Sequence, residues 1–415
     1  MTRPGYKMTE IEEIPKNWNV KSLDNMIEIL DLKRVPLSET ERANKKGTIP
    51  YCGANGIIDY IDDYIFDEEA VLIAEDGGNY GKFQNKAYIM TGKYWVNNHA
   101  HIFRGRSELL ENKFIMQWLN FSDISPYVSG STRTKLNQEM LKRILVPTPS
   151  LQEQQKIAEI LSTADETIQK VNEEIMLTER LKKGLMQTLL TKGIGHTKFK
   201  MTEIGEIPEE WEVVNLNSLT YDFKNGFSSG KRSTEGVPQI RMNNISTDGR
   251  LLLESYIRVP APKNLTEYTL ENGDFLFNNT NSIDLVGKSA VFNDAPFLCT
   301  FSNHFTRFRF YPDRILPEMV LLQFIILWET GIFKSFATRY VGQASISTDL
   351  LLHMAVKVPP MQEQIKIRKM SRILNQKLSL LYYRKDKIEI LKKGLMQSLL
   401  TGKLRIKVYS SKGEN

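Results

Sequence analysis

The chain has 415 residues, 41% of them apolar and 25% charged, which allows two or three domains of ordinary soluble composition. It contains no apolar run long enough to span a membrane, and its first residues, MTRPGYKMTEIEEIP, lack the apolar core of a secretory leader. The net charge of +6 sits late in the chain: residues 361–415 hold 14 Lys and Arg against four Asp and Glu, whereas residues 201–360 are net acidic, so charge permits nucleic-acid binding without demanding it.

The first landmark is MTEIEEIPKNW (8–18), whose Trp18 reads as a buried anchor at the start of a domain spanning 1–150. Within it AVLIAEDGG (70–78) and AYIMTG (87–92) read as strands with turns, and NKFIMQWLNF (112–121) as a helix. Cys52, like Cys299 later, has no metal-ligand spacing and reads as a thiol in a reducing, cytoplasmic compartment. Three loops carry side chains suited to base edges or phosphates: Asn79, Tyr80 and Lys82; His99 and His101; and Arg133, Lys135 and Asn137 within GSTRTKLN. For any one of them a solvated surface role is the more ordinary reading; the set is what points to DNA.

Pro147 and Pro149 stop the incoming strand, and residues 151–192 then run without proline. Ile157, Leu161, Ala164, Ile168, Val171 and Ile175 follow each other by alternating steps of four and three, a coiled-coil seam. From there the stripe is expected to shift to Leu177, Leu181, Leu185 and Leu189. A linker follows (193–200), then a second domain over 201–360 opening on MTEIGEIPEEW with Trp211. GDFLFNN, SAVF and HFTRFRF read as strands, the last setting Arg307 and Arg309 on one face and aromatic residues on the other. PEMVLLQFIILWET (317–330) reads as a helix. The candidate contact residues here are Lys231, Arg232, Arg241, Asn243, Asn244, Asn278, Asn279, Asn281, Lys288, Arg307, Arg339 and Gln343. A second long helix covers 361–403, with Ile367, Met370, Leu374, Leu378, Leu381, Ile388, Leu391, Leu395 and Leu399 on its stripe, and a basic tail covers 404–415.

The two halves are copies. The MTEI…W segments are offset by 193 residues, while LQEQQKI/MQEQIKI and LKKGLMQTLLTKG/LKKGLMQSLLTGK are both offset by 210. The scaffold repeats and the inserts diverge. Each helix would be roughly 60 Å long and needs a partner along its stripe. The linker reaches at most about 28 Å, so the second domain should start near the far end of the first helix. The expectation is an antiparallel helix pair with a mixed α/β domain at each end, a pseudo-two-fold molecule with neighbouring termini. Gly184 and Gly394 occupy equivalent mid-helix sites. Close helix–helix approach is the plainer reason for them, and a notch for a partner subunit the functional one.

Catalytic signatures are missing. DLVGKSA has Ser282 where a P-loop needs its first glycine, EDGGNYG does not open a helix, and His99 and His101 lack zinc-ligand companions. We find neither the Asp/Asn-Pro-Pro-aromatic segment of amino-methyltransferases nor a nuclease carboxylate–Lys cluster.

With VPTPSLQEQQKIAEILSTADETI (146–168), its echo KVPPMQEQIKIRKMSRIL (357–374), the duplicated LKKGLMQ and FLFNNTNSIDLVGKSAVF (275–292), the sequence resembles the specificity subunit of type I restriction–modification systems over essentially its whole length. The second copy departs where IRKM replaces IAEI and no Asp matches Asp165, so identical partner contacts at both ends are not expected. The resemblance implies an α+β chain whose two target-recognition domains each read half of a bipartite site on double-stranded DNA, the helix pair holding the halves about 34 Å apart. It implies two methyltransferase (modification) subunits docked on the helices, at Gln152, Gln154 and Gly184 and at Gln362, Gln364 and Gly394, and a restriction (translocase) subunit. S-adenosylmethionine, ATP and Mg2+ would belong to those partners and none to this chain, which would not be an enzyme. The rivals are a self-contained DNA-modifying enzyme and a coiled-coil assembly protein that reads no DNA.

Overall fold

The alternating apolar steps fold as read. Leu151–Leu189 and Met361–Leu399 are unbroken α-helices of 39 residues each in the computed structural model, which describes residues 3–130, 134–293, 295 and 297–406. The helices are not bodies of their own, however. The chain divides into a unit of Met1–Glu174 with Leu381–Asn415 and a unit of Ile175–Leu380, so each globular domain takes half of each long helix into its core.

In the first unit, Ile157, Ala158 and Leu161 of the first helix and Met396, Leu399 and Leu400 at the end of the second bury against Trp18, Phe114, Trp118 and Val146. Each such side chain contributes about 1.5–3 kcal/mol when removed from water. The two helix halves run in opposite directions: Glu153 meets Arg405, and Asp165 meets Lys392. The hydroxyl of Tyr6 donates to the carbonyl of Gly402 (2.7 Å), which ties the first hairpin to the turn that follows the second long helix. In the second unit, Met186, Leu189 and Leu190 bury with Trp211 and Ile367, and Glu363 accepts from the N–H of Ile194, so here too the halves are antiparallel.

The inserts, unlike in sequence, share a topology. Each domain is opened and closed by one antiparallel pair, Asn19–Ser22 with Leu145–Thr148 and Glu212–Asn215 with Ala355–Val358. Each carries a four-stranded antiparallel sheet of matching order: Ile27–Ile29, Ala100–Gly105, Ala70–Ala74, Ala87–Met90 in one, and Thr220–Asn225, Phe305–Phe310, Phe275–Asn278, Ser289–Val291 in the other. Each has a second sheet containing one parallel contact, Tyr51 beside Trp95 and Gln239 beside Thr300. The expected helices fall at Asn112–Phe121 and Pro317–Glu329. Cys52 and Cys299 are buried, unpaired thiols. No helix among the described residues is long and apolar enough to cross a membrane.

Two expectations about the helices fail. Ile157, Leu161, Val171 and Ile175 are buried, but the seam continues through Thr178 rather than Leu177. Leu177 lies one residue off that line, about 100° round the helix, and Leu177 and Leu181 are 60% and 59% exposed. Leu391, the repeat of Leu181, is 60% exposed. Nor do Gly184 and Gly394 mark close helix contact: a Cβ at either would meet nothing within 4 Å.

Candidate nucleic-acid interface

Each long helix is fixed to its domain by one duplicated polar knot. The indole N–H of Trp18 donates to Glu153 (3.0 Å) and that of Trp211 to Glu363 (2.9 Å). The third member differs. Arg405 closes on Glu153 with two nitrogens, whereas Glu363 receives the Ile194 N–H at 2.6 Å and faces His196 Nε2 at 2.9 Å. Gly402 and Gly193, which follow the two helices with left-handed backbones, make room for the knots: a Cβ would sit 2.5 Å from Pro15 in one and 2.5 Å from Glu363 in the other. Gln154 and Gln364 lie beside these glutamates and are buried. Gln364 accepts from the Leu316 N–H and donates to the carbonyls of Arg314 and Pro359; Gln154 does the same with Glu111, Leu109 and Pro149. They therefore hold helix to domain and are not open to a partner, unlike the exposed Gln152 and Gln362. The glutamates were not singled out from sequence, although the repeat of Trp in both hairpins and Glu in both QEQ segments was the available signal.

In the first unit three separate stretches of sequence converge. Gly77 N–H donates to the Thr134 carbonyl, and Asp76 pairs in strand fashion with Lys135, so the Asn79–Lys82 loop lies beside the 134–137 segment. His99 joins them through Asp76 (3.0 Å). Asn79, Lys82, Lys135 and Asn137 are exposed there. Lys82 lies over the Phe121 ring and 3.7 Å from Glu12. Asn137 caps the short helix Gln138–Arg143 by accepting from the Met140 N–H. Two candidates point inward instead. Tyr80 donates to the Ala74 carbonyl, and burial pushes its hydroxyl up to about 12. His101 lies between Asp31 and the Leu136 carbonyl. Arg133 lies outside the described residues.

The second unit divides its candidates more sharply. Lys231, Arg232, Asn243, Arg339 and Gln343 are exposed. Arg241 reaches Gln239 and the Ser229 carbonyl, which joins its segment to the loop bearing Lys231. The short strand Thr280–Asn281 pairs with Gln343–Ser345, which in turn pairs with Thr338–Tyr340, so the NNTNS and RYVGQAS segments meet. The remaining candidates are internal fasteners. Lys288 donates to the carbonyls of Met242 and Ile245, and burial lowers its pKa. Asn244 spans Arg241 and Leu252. Asn278, Asn279 and Asn281 bond to His304, Thr306 and each other. Arg307 pairs with Asp222 on the neighbouring strand. Arg307 and Arg309 do share a face, but Phe305 lies on it too and the strand is covered on both sides. Such residues shape the loops and turn their polar atoms inward, most of them into internal hydrogen bonds, with Arg307 Nε and Asn279 Oδ1 buried and unpartnered.

The fold is thus that of a duplicated α+β chain, each copy a domain with two matching sheets clasped to antiparallel helix halves and carrying exposed polar loops. Residues 15–178 match the type I restriction modification DNA specificity domain family. The chain is 26% identical over 416 residues to the type I restriction enzyme MjaVIII specificity subunit of Methanocaldococcus jannaschii, covering 95% of this chain and 94% of that one. It is 27% identical over 441 residues to that organism's putative type I restriction enzyme MjaX specificity subunit, covering 97% of each. Among solved structures, the type I restriction–modification system S subunit from M. genitalium has the same fold, with a TM-score of 0.63 at 16% identity, over 96% of this chain and 99% of that one. The resemblance read from the sequence holds: over nearly its whole length this chain is similar to type I restriction enzyme specificity subunits.

Proposed function

We propose that this chain is the DNA sequence-recognition subunit of a type I restriction–modification complex, each domain reading half of a bipartite, asymmetric site. The observation that carries this reading is the contrast between the two copies. Sheet order, the Trp–Glu contacts and the helix halves repeat, while the loop sequences that carry the candidate side chains, GGNYGK and GSTRTKLN in one copy and QIRMNN and RYVGQAS in the other, are unlike. A pure assembly protein would have no use for that difference. The exposed candidates offer the right chemistry: lysines 82, 135 and 231 for phosphates, Arg232 and Arg339 for phosphate or guanine, Asn79, Asn243 and Gln343 for adenine edges.

Methyltransferase subunits, two in number, would dock on the outer helix faces, where the repeated Leu181/Gly184 and Leu391/Gly394 are exposed alongside Gln152 and Gln362. A restriction subunit would complete the assembly. S-adenosylmethionine, ATP and Mg2+ would be held by those partners, and adenine methylation and cleavage would be theirs.

Exchanging residues 212–358 for the matching domain of another specificity subunit tests the reading. Methylome sequencing of cells carrying the hybrid and its methyltransferase should show one half-site changed and the other kept. A change in both half-sites refutes modular reading, and methylation by this chain without a partner refutes its non-catalytic role.

A further inference from the structure

His101 lies within the central sheet of the first domain and is 2% exposed. Its Nδ1 is 2.6 Å from Asp31 Oδ2, and its Nε2 is 2.7 Å from the carbonyl oxygen of Leu136. A carboxylate and a carbonyl both accept, so both ring nitrogens must donate, and the ring carries its second proton in this arrangement. The neighbours suit a cation held between anions. Asp31 also accepts from the Ile102 N–H and from Gln138, and it lies 3.5 Å from Arg34. Glu75 lies 3.7 Å from His101 Nδ1 and pairs with Arg34 and Lys135. Next to these stands the half-buried pair of His99 and Asp76. Burial would raise both the Asp31 and Glu75 carboxyls, but the His101 contact on the first and the Arg34 and Lys135 contacts on the second outweigh it and hold both low.

The carbonyl that His101 grips belongs to the segment carrying Lys135 and Asn137. The same segment leans on the Asn79 loop through the Leu136 N–H to the Glu75 carbonyl and the Gly77 N–H to the Thr134 carbonyl. We propose that His101 is a positioning residue for half-site reading by the first domain: held between Asp31 and Leu136, it fixes the 134–137 segment, and removal of these two contacts releases that segment and weakens recognition by this domain alone. A neutral ring would turn a lone pair toward either the carboxylate or the carbonyl, an acceptor–acceptor contact shut away from water. This inference rests on the DNA-reading role proposed above.

The test uses the full chain assembled with its methyltransferase subunits and duplexes carrying the mapped site with either half scrambled. His101→Gln should lower discrimination at the first domain's half-site about tenfold, while discrimination at the second half-site stays level. Asp31→Asn, whose oxygen can still accept from Ile102, should fall between that variant and the unaltered chain. A folded His101→Gln variant that keeps full discrimination at the first half-site overturns the proposal, and so does one that loses discrimination at both half-sites alike. Ring nitrogen NMR decides the clamp independently of DNA: two protonated nitrogens on His101 at neutral pH support it, one bare nitrogen overturns it. An unaltered complex that binds neither half-site refutes the DNA reading instead, and the ring spectrum still judges the clamp.

Discussion

Replacing the two mid-helix glycines by alanine should make the free chain more stable, not less. A Cβ at Gly184 or Gly394 meets no atom within 4 Å, so the substitution creates no clash. What remains is intrinsic preference, worth about 1 kcal/mol per glycine in a helix interior. Each single variant should gain about that much and the double variant about 2 kcal/mol, read as a rise in the urea midpoint at unchanged slope. Glycine at both positions then has no structural reason within this chain, and a partner's close approach supplies one. Tryptophan at either position should leave the free chain folded and abolish co-purification of one methyltransferase subunit. Destabilised alanine variants would refute the open-space geometry. Stabilised ones whose tryptophan counterparts still assemble fully would refute the notch.

Gln364→Leu should cost about 3–5 kcal/mol, since it strands one buried N–H and two carbonyls; Gln154→Leu should match it in chemical denaturation, and losses under 1 kcal/mol would contradict the knot. Lys86 donates to the carbonyls of Leu119 and Ser122, and burial lowers its pKa from 10.5 to about 8. The unfolded chain therefore holds this proton more tightly, and stability should rise with pH between those values relative to Lys86→Met; comparing the two chains by denaturation at pH 7.5 and pH 9.5 checks the sign. Inserting seven residues between 162 and 180 should lengthen the methylated site's spacer and leave both half-sites unchanged, as read by methylome sequencing.

The duplication and both long helices were legible because they depend on period and repetition, which sequence displays directly. So were the helices at 112–121 and 317–329, each a compact apolar run. The candidate interface was legible only in part. Asn278, Asn244 and Lys288 are the residue types that contact bases and phosphates, but they are equally the types that satisfy buried carbonyls and amides. Composition cannot separate the two uses; for Asn278 the preceding Phe-Leu-Phe run of a central strand was a hint. The seam failed at Leu177 because threonine, half apolar, can fill a helix contact that pattern reading assigns to leucine. Trp18 with Glu153 and Trp211 with Glu363 could have been paired from sequence, since each residue recurs in its own landmark, but only folding brings the landmarks together.

The discontinuity of the first unit bears on how the chain is made. The Ile175–Leu380 unit is continuous and has every residue it needs once that stretch has left the ribosome. The other unit begins at the N-terminus but lacks Met396, Leu399 and Leu400 of its core, and Arg405 of its knot, until the last residues emerge. The usual vectorial order is thereby inverted: the domain synthesised first is the last to close. Ile157 and Leu161 have only part of their cover, from Trp18, Phe114, Trp118 and Val146, through synthesis of the whole second domain, so a message truncated after residue 380 would release a chain with one finished domain and one open apolar face, a substrate for chaperones and proteases.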